Sequence, residues 1–383
     1  MKQPFNIGVL GAGNFARFAV GEFIKTKNVK LHGVFDENME NAILLKQIQP
    51  TTKIYTSAKE LLLDKNIDLI YIGTPPYLHY EQSKAALLNG KHVICEKPAA
   101  LTAAHAFELK TIAEEKNLLY TVNLMQRYNP LYSAVDVLIK QKILGDFLHG
   151  FFENYACDEV LPPTHWFWDE TKSGGIFIEH GVHFFDMFEG WLGKGKVIAA
   201  QKMNRKGYPT IWDKYQAIVQ YPNGLVNFYH AFEQAKILDR QELRLQFERG
   251  EITLYEWVPT RLKMTAVCTE EELKSLKKIF PTADLVIIDR FSKVQQATAR
   301  FKEISFAYKI QLDTGNKIQK YALYAQLVSS MFEDQLQWIN DNTHIRKIDQ
   351  YNAVCSVAIA EAANEIAVVI NTEIPNNNLH YIS

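Results

Sequence analysis

Cysteine is scarce in this chain, and its spacing excludes a disulfide scaffold. Four residues in 383, Cys95, Cys157, Cys268 and Cys355, lie 62, 111 and 87 positions apart and form no C-x-x-C pair. Reduced thiols in a cytoplasm fit that usage. Net charge is nearly absent: 42 Lys and Arg against 43 Asp and Glu leave -1, too little positive charge to hold a polyanion, so no nucleic-acid partner is expected. No run of about 18 uninterrupted apolar residues offers a membrane span. Residues 5–24 have the length of a leader, but Asn14 and Arg17 interrupt them. Internal repeats and low-complexity linkers are also missing.

What is present is a composition for burying large cores, 47% hydrophobic and 22% charged, over a length that suggests two or three domains. Up to about residue 124, short β-branched runs alternate with helical patterns, the rhythm of a parallel sheet covered on both faces. Strands are expected at 7–10, 29–35, 53–55, 69–72, 92–95 and 119–122. Helices are expected at 57–64, 77–88 and 102–116, with Ser57 and Thr102 as N-caps. The fold class is therefore α/β, with an N-terminal doubly wound Rossmann sheet at 1–124.

Residues 125–383 read differently. Hairpins are expected at 214–221 with 225–232, and at 242–247 with 252–257, so this part is an α+β domain built on a mostly antiparallel sheet. Residues 263–312 are atypical, with a charged helix at 270–279, and are assigned as an insertion or an extra αβ layer. Helices are expected at 317–340 and 351–370. In the second, Ala353, Val357, Ala360 and Ala363 form a small-residue stripe for a tight interface.

The first strand runs into Gly11-Ala12-Gly13-Asn14-Phe15-Ala16, a G-x-G-x-x-A that opens a helical pattern, which is the context a dinucleotide fingerprint requires. Gly11 would make the tight turn, Gly13 would admit a pyrophosphate to the backbone, and Ala16 would let helix and strand pack closely, with Asn14 and Phe15 at the helix N-terminus. An ordinary glycine-rich turn has the same composition. Asp36 ends the second strand 25 residues after Gly11, where a carboxylate accepts from the adenosine ribose and repels a 2′-phosphate. That favours NAD over NADP, although Asp36 also suits a plain turn before Glu37 and Asn38.

Thr74, Pro75 and His79 follow the fourth strand, and Glu96-Lys97-Pro98 follows the fifth, at the carboxyl ends where open α/β sheets bind ligands. Lysines are mostly solvated surface, so Lys97 carries weight only through its neighbours. Further on, Glu179, His183 and Asp186 share one face of a helix expected to start at Gly174-Gly175 and run through Trp191. An imidazole one turn from a carboxylate is an acid/base device. A buried, satisfied histidine is one rival reading. A metal site on His180, His183 and Asp186, with His165 as a further ligand, is another, but H-x-x-H-x-x-D matches no strong metal motif, and no metal is expected.

Taken together, residues 11–16, 74–79, 90–98 and 174–186 resemble the Gfo/Idh/MocA family of NAD(P)-dependent oxidoreductases. The resemblance covers the first 200 or so residues and implies a Rossmann domain followed by an α/β domain whose open sheet forms a homo-oligomer. It places Lys97 beside the nicotinamide and the substrate hydroxyl and makes His183 the catalytic histidine. Glu179 stands where the family has Asp, which lengthens the carboxylate's reach by one methylene. The resemblance also brings Arg127, in Arg127-Tyr128-Asn129-Pro130, towards the substrate. Trp166 and Trp168 offer flat faces to a pyranose, or else form a packed aromatic patch. His180 and Asp186 are expected on the same substrate side.

The expected function is NAD-dependent hydride transfer from a secondary hydroxyl of a sugar, sugar derivative or cyclitol, in the cytoplasm. Two alternatives remain open: a glycoside hydrolase that oxidises, eliminates and reduces again with NAD, and an NAD-binding sensor without catalysis.

Overall fold

The structure is a computed structural model and describes residues 4–315 and 319–372. Its first layer alternates β1 (Phe5–Leu10), α1 (Asn14–Phe23), β2 (Val29–Phe35), α2 (Met39–Ile48), β3 (Lys53–Ile54), α3 (Ala58–Leu63), β4 (Leu69–Ile72), α4 (His79–Leu88), β5 (His92–Cys95), α5 (Ala103–Glu115) and β6 (Tyr120–Val122). The strands pair in the order β3-β2-β1-β4-β5-β6, all parallel. Burial explains this: every residue of β4 is buried, as a strand covered by helices on both faces must be. Ser57 and Thr102 cap α3 and α5 by accepting from the amides of Glu60 and His105. The order in which strands are added reverses between β1 and β4, which opens a crevice at their carboxyl ends.

The rest of the chain supplies α6 (Pro130–Lys140), β7 (Phe147–Cys157), α7 (Glu170–Ser173), α8 (Val182–Leu192), β8 (Lys196–Arg205), β9 (Tyr208–Tyr221), β10 (Gly224–Gln234), β11 (Arg240–Phe247), β12 (Gly250–Tyr255), β13 (Arg261–Cys268), α9 (Glu270–Ile279), β14 (Asp284–Ala299), β15 (Lys302–Thr314), α10 (Lys320–Asn340), α11 (Gln350–Ile366) and β16 (Val368–Ile370). Its ten strands form one sheet, antiparallel except where β10 meets β7 and β16 meets β8. Period-two patterning sets its faces: Phe152, Asn154 and Ala156 of β7 are buried towards α8, where the Phe152 and Phe184 rings stack at 3.6 Å.

Three expectations need correction. The atypical segment is not a separate layer, because β13 and β15 pair from Leu262 opposite Thr314 to Cys268 opposite Tyr308 and carry the sheet to its edge at β14. The last helix stops at Ile366, and Val368–Ile370 forms a parallel edge strand on β8, as β-branched residues at a sheet edge favour. The helix carrying His183 does not run unbroken from the glycines, since Phe177–Gly181 is a π-helical turn before α8. The α10 expectation began at 317, and its first two residues lie outside the described ones.

The two C-terminal helices return to the first layer. Phe332 of α10 stacks on Phe23 of α1 at 4.4 Å, and Tyr324 sits on Phe18 at 5.2 Å. In α11, Ala353, Val357, Ala360 and Ala363 are fully buried, as their small size allows in a helix packed against α5 and α8. Among the described residues no helix is long and apolar enough to cross a membrane.

Candidate active site

Gly11 has φ +83°, and a Cβ there would lie 2.7 Å from the Thr74 amide nitrogen, so the turn that ends β1 admits only glycine. Gly13 differs: a Cβ would meet no protein atom within 4 Å, and no side chain caps the α1 N-terminus beside it. Open space in front of free helical amides fits a dinucleotide pyrophosphate. Ala16 lies against Gly73, whose added Cβ would fall 2.8 Å from the alanine methyl, so helix and strands pack backbone to backbone.

Asp36 holds this turn together. One oxygen accepts from the Ala12 amide at 2.6 Å, and the other from the Asn38 amide at 2.8 Å and the Asn41 side chain at 3.3 Å. Arg17, not singled out from the sequence, donates to the Ala12 carbonyl at 2.7 Å, to Asn41, and to Asn14 Oδ1. The Asp36 carboxylate, just past the end of β2, and the Arg17 guanidinium thus share Asn41 of α2.

The crevice has a volume of 760 Å³. Phe15, Thr74, Glu96, Lys97, Glu179 and His183 line it, and so do Trp166 and His180. Lys97 Nζ donates to the Glu179 backbone carbonyl at 2.7 Å and to Glu179 Oε1 at 2.5 Å, joining the fifth strand of one layer to the π-helical turn of the other. The expected partnership of Glu179 with His183 is therefore replaced. The longer glutamate reaches Lys97, and His183 Nδ1 is buried without a hydrogen-bond partner. Burial, then the Lys97 ammonium, push the His183 pKa down to about 3, so the ring is neutral at neutral pH.

Glu96 accepts from the Tyr71 hydroxyl at 2.7 Å and from Asn123 Nδ2 at 2.9 Å, and burial raises its pKa to about 6. His79 is buried behind the crevice wall rather than lining it. Its two ring nitrogens lie 2.7 Å from the carbonyls of Thr74 and Pro98, so it ties the loop after β4 to the loop after β5. Burial depresses its pKa, and the neutral ring donates to one carbonyl at a time. Pro75 precedes the turn Pro76–Leu78, and its neighbour Pro76 reaches the crevice.

Arg127 and Asp186 do not line the crevice; they meet each other. Arg127 Nε and one terminal nitrogen donate to the two Asp186 oxygens at 2.7 and 2.8 Å, and Asn352 donates to the same carboxylate at 3.1 Å. This bidentate pair locks the turn before α6 to α8. Trp168 is buried and donates to the Leu161 carbonyl. Asn123, Asn154, Gln241, Trp257 and Tyr324 also line the crevice. Asn123 has a legible position, one residue past β6 and level with the other strand ends. Asn154 and Gln241 alternate along strands with no motif, and Tyr324 arrives from 200 residues beyond that strand.

Behind His180, His230 is fully buried with neither nitrogen partnered, and desolvation lowers its pKa to about 3. The folded protein excludes a proton that the unfolded chain binds below about pH 6.5, so stability is complete above that value and falls as pH drops towards 3. Between those limits His230→Phe should flatten the decline by roughly 1.4 kcal/mol per pH unit. Denaturant midpoints from pH 7 to 4 test this, and an unchanged slope would contradict it.

Residues 5–124 match the family described as "Oxidoreductase family, NAD-binding Rossmann fold", and residues 132–253 match the GFO/IDH/MocA C-terminal domain. Oxidoreductase P35 of Formosa agariphila is 26% identical over 68% of this chain and 82% of its own length. An uncharacterized oxidoreductase of Schizosaccharomyces pombe is 30% identical over 57% of this chain and 60% of its own. A trans-1,2-dihydrobenzene-1,2-diol dehydrogenase of Xenopus laevis is 36% identical over 28% of this chain and 33% of its own. The chain thus spans about half the length of many of the curated relatives it matches. Two solved structures share the fold: the 3-ketoreductase KijD10 of Actinomadura kijaniata with NADP and TDP-benzene (TM-score 0.73, 15% identity, 96% of this chain and 99% of that one), and biliverdin reductase of Synechocystis with biliverdin and NADP+ (0.70, 16%, 95% and 99%). With residues 5–124 and 132–253, more than half of its length, matched in order, the chain belongs to the Gfo/Idh/MocA family of oxidoreductases.

Proposed function

We propose that this protein is an NAD-dependent dehydrogenase acting on a secondary hydroxyl of a sugar, sugar derivative or cyclitol. One observation carries the reading: an ammonium fixed by Glu179 and a neutral imidazole line the same crevice, beside a glycine turn open to a dinucleotide. When bound, NAD supplies the hydride acceptor. The neutral His183 ring, which lines the crevice, accepts the hydroxyl proton and can do so without first losing one. Lys97 Nζ stabilises the oxygen as it becomes an alkoxide, and Glu179 holds that ammonium in place. The names of a ketoreductase and a diol dehydrogenase among the similar proteins agree with chemistry at a carbon bearing oxygen. A panel of sugars, polyols and cyclitols followed by NAD reduction tests the proposal; failure of every compound would remove it.

Asp36 supports NAD as the coenzyme, since its charge opposes a 2′-phosphate. Arg17 stands next to it, so loss of the charge should leave a cation to meet that phosphate. Asp36→Asn, which keeps an acceptor for the Ala12 amide, should raise the NADP to NAD ratio of kcat/KM roughly tenfold. An unchanged ratio would place the ribose elsewhere.

The reading includes a homo-oligomer through the ten-stranded sheet. Its face away from α8 carries Phe151, Tyr155 and Tyr229, half-buried, with Arg240 and Arg244 over the Tyr155 and Phe151 rings. Light scattering should give a multiple of 44.0 kDa, and a monomer mass would discard this interface. The four unpaired cysteines support a cytoplasmic site of action.

A further inference from the structure

Trp166 lines both the crevice and a separate groove of 510 Å³ between the 163–172 segment and the start of β9. Trp212 lines the same groove, and the Lys202 ammonium lies over its ring at 4.9 Å. Polar groups interleave with the rings. His165 Nδ1 accepts from the Phe167 amide at 3.2 Å, so the neutral ring carries its proton on Nε2 as a donor. Burial lowers the His165 pKa, which keeps that tautomer neutral. Thr210, at an exposed position on the rim, and Lys172 add a hydroxyl and an ammonium.

A pyranose ring presents apolar C–H faces and a polar equator. Flat indoles with donors and acceptors at their edges match both parts, as a purely apolar groove would not. The indole shared with the crevice makes the two sites neighbours. We propose that this groove is a second carbohydrate subsite, so that the substrate is a glycoside or oligosaccharide: the ring to be oxidised lies in the crevice and the next ring lies between Trp166 and Trp212. The inference rests on the dehydrogenase reading for the first ring, while the groove itself is tested by binding alone.

The test uses the full-length Lys97→Ala protein loaded with NAD, so that binding is measured without turnover. Calorimetry compares glucose and galactose with cellobiose, maltose and lactose. At least one disaccharide should bind roughly tenfold more tightly than its monosaccharide, the scale of one added aromatic stacking contact. Trp212→Ala should abolish that advantage and leave monosaccharide and NAD affinity unchanged. Thr210→Arg, which fills the groove from an exposed position, should do the same without altering any buried residue. Equal affinity for one-ring and two-ring sugars, or an advantage that survives both substitutions, would overturn the proposal. So would Thr210→Arg changing the mass in solution but not sugar binding, since the groove would then be a contact between copies. Failure of the dehydrogenase reading shows separately, as wild-type protein that binds sugars but reduces no NAD with them.

Discussion

Replacing Lys97 by Ala should lower kcat about 10²–10⁴-fold, the range expected when a positioned proton-transfer or charge-stabilising group is lost. NAD affinity should change little, because the glycine turn and Asp36 lie on other strands. The same substitution leaves Glu179 without the ammonium it holds at 2.5 Å, in a site where its side chain is 13% exposed. Part of the loss would then come from an unpaired carboxylate beside the reacting oxygen. Lys97→Ala with Glu179→Gln separates the two effects: if the double variant recovers kcat, the carboxylate was the obstacle, and if it does not, the ammonium acts on the substrate. His183→Asn should give a comparable loss by removing the neutral imidazole from the crevice. Stopped-flow NAD reduction with the best compound of the panel measures all three, and full activity in either single variant would remove that residue from the mechanism.

A second large effect is expected away from the chemistry. Arg127 and Asp186 form a bidentate pair whose side chains are 13% and 3% exposed, so removing one partner leaves the other charged in a poorly solvated place. Asp186→Ala should destabilise the protein by about 3–5 kcal/mol, and Arg127→Ala by a similar amount. The double variant should cost less than the sum, since neither charge is then left alone. Thermal and denaturant unfolding measure the loss. This also decides between two roles: residues that bind substrate would raise KM and leave stability nearly unchanged, whereas the buried pair predicts the reverse. Gly190 belongs to the same unit, for a Cβ there would fall within 2.3 Å of the Arg127 guanidinium and the Tyr132 hydroxyl. α8 is held close to that pair by the absence of a side chain, and His183 rides on α8.

The parallel layer was legible because its signals are local. Buried β-branched runs, Ser57 and Thr102 caps, and a glycine that must turn with positive φ each act within a few residues, so their pattern survives in the linear chain. The hairpins were legible for the same reason. Residues 263–312 were not, since a strand at a sheet edge has one neighbour and shows weak alternation: β14 is exposed along most of its length and identified only by its pairing with β15. The break at Phe177–Gly181 was hidden as well, because a π turn has the same composition as the helix around it.

Sequence by itself determined the two-layer architecture, the glycine turn with its carboxylate, and the set of charged and aromatic groups from which a site could be assembled. Tertiary structure decided who meets whom. Glu179 faces Lys97 and not His183, Asp186 pairs with Arg127 outside the crevice, and Trp166 lines both a crevice and a groove. The physical reason is range: helix caps and strand periods are fixed by neighbours in the chain, whereas a charge takes as its partner whichever opposite charge the packing of distant elements brings within 3 Å.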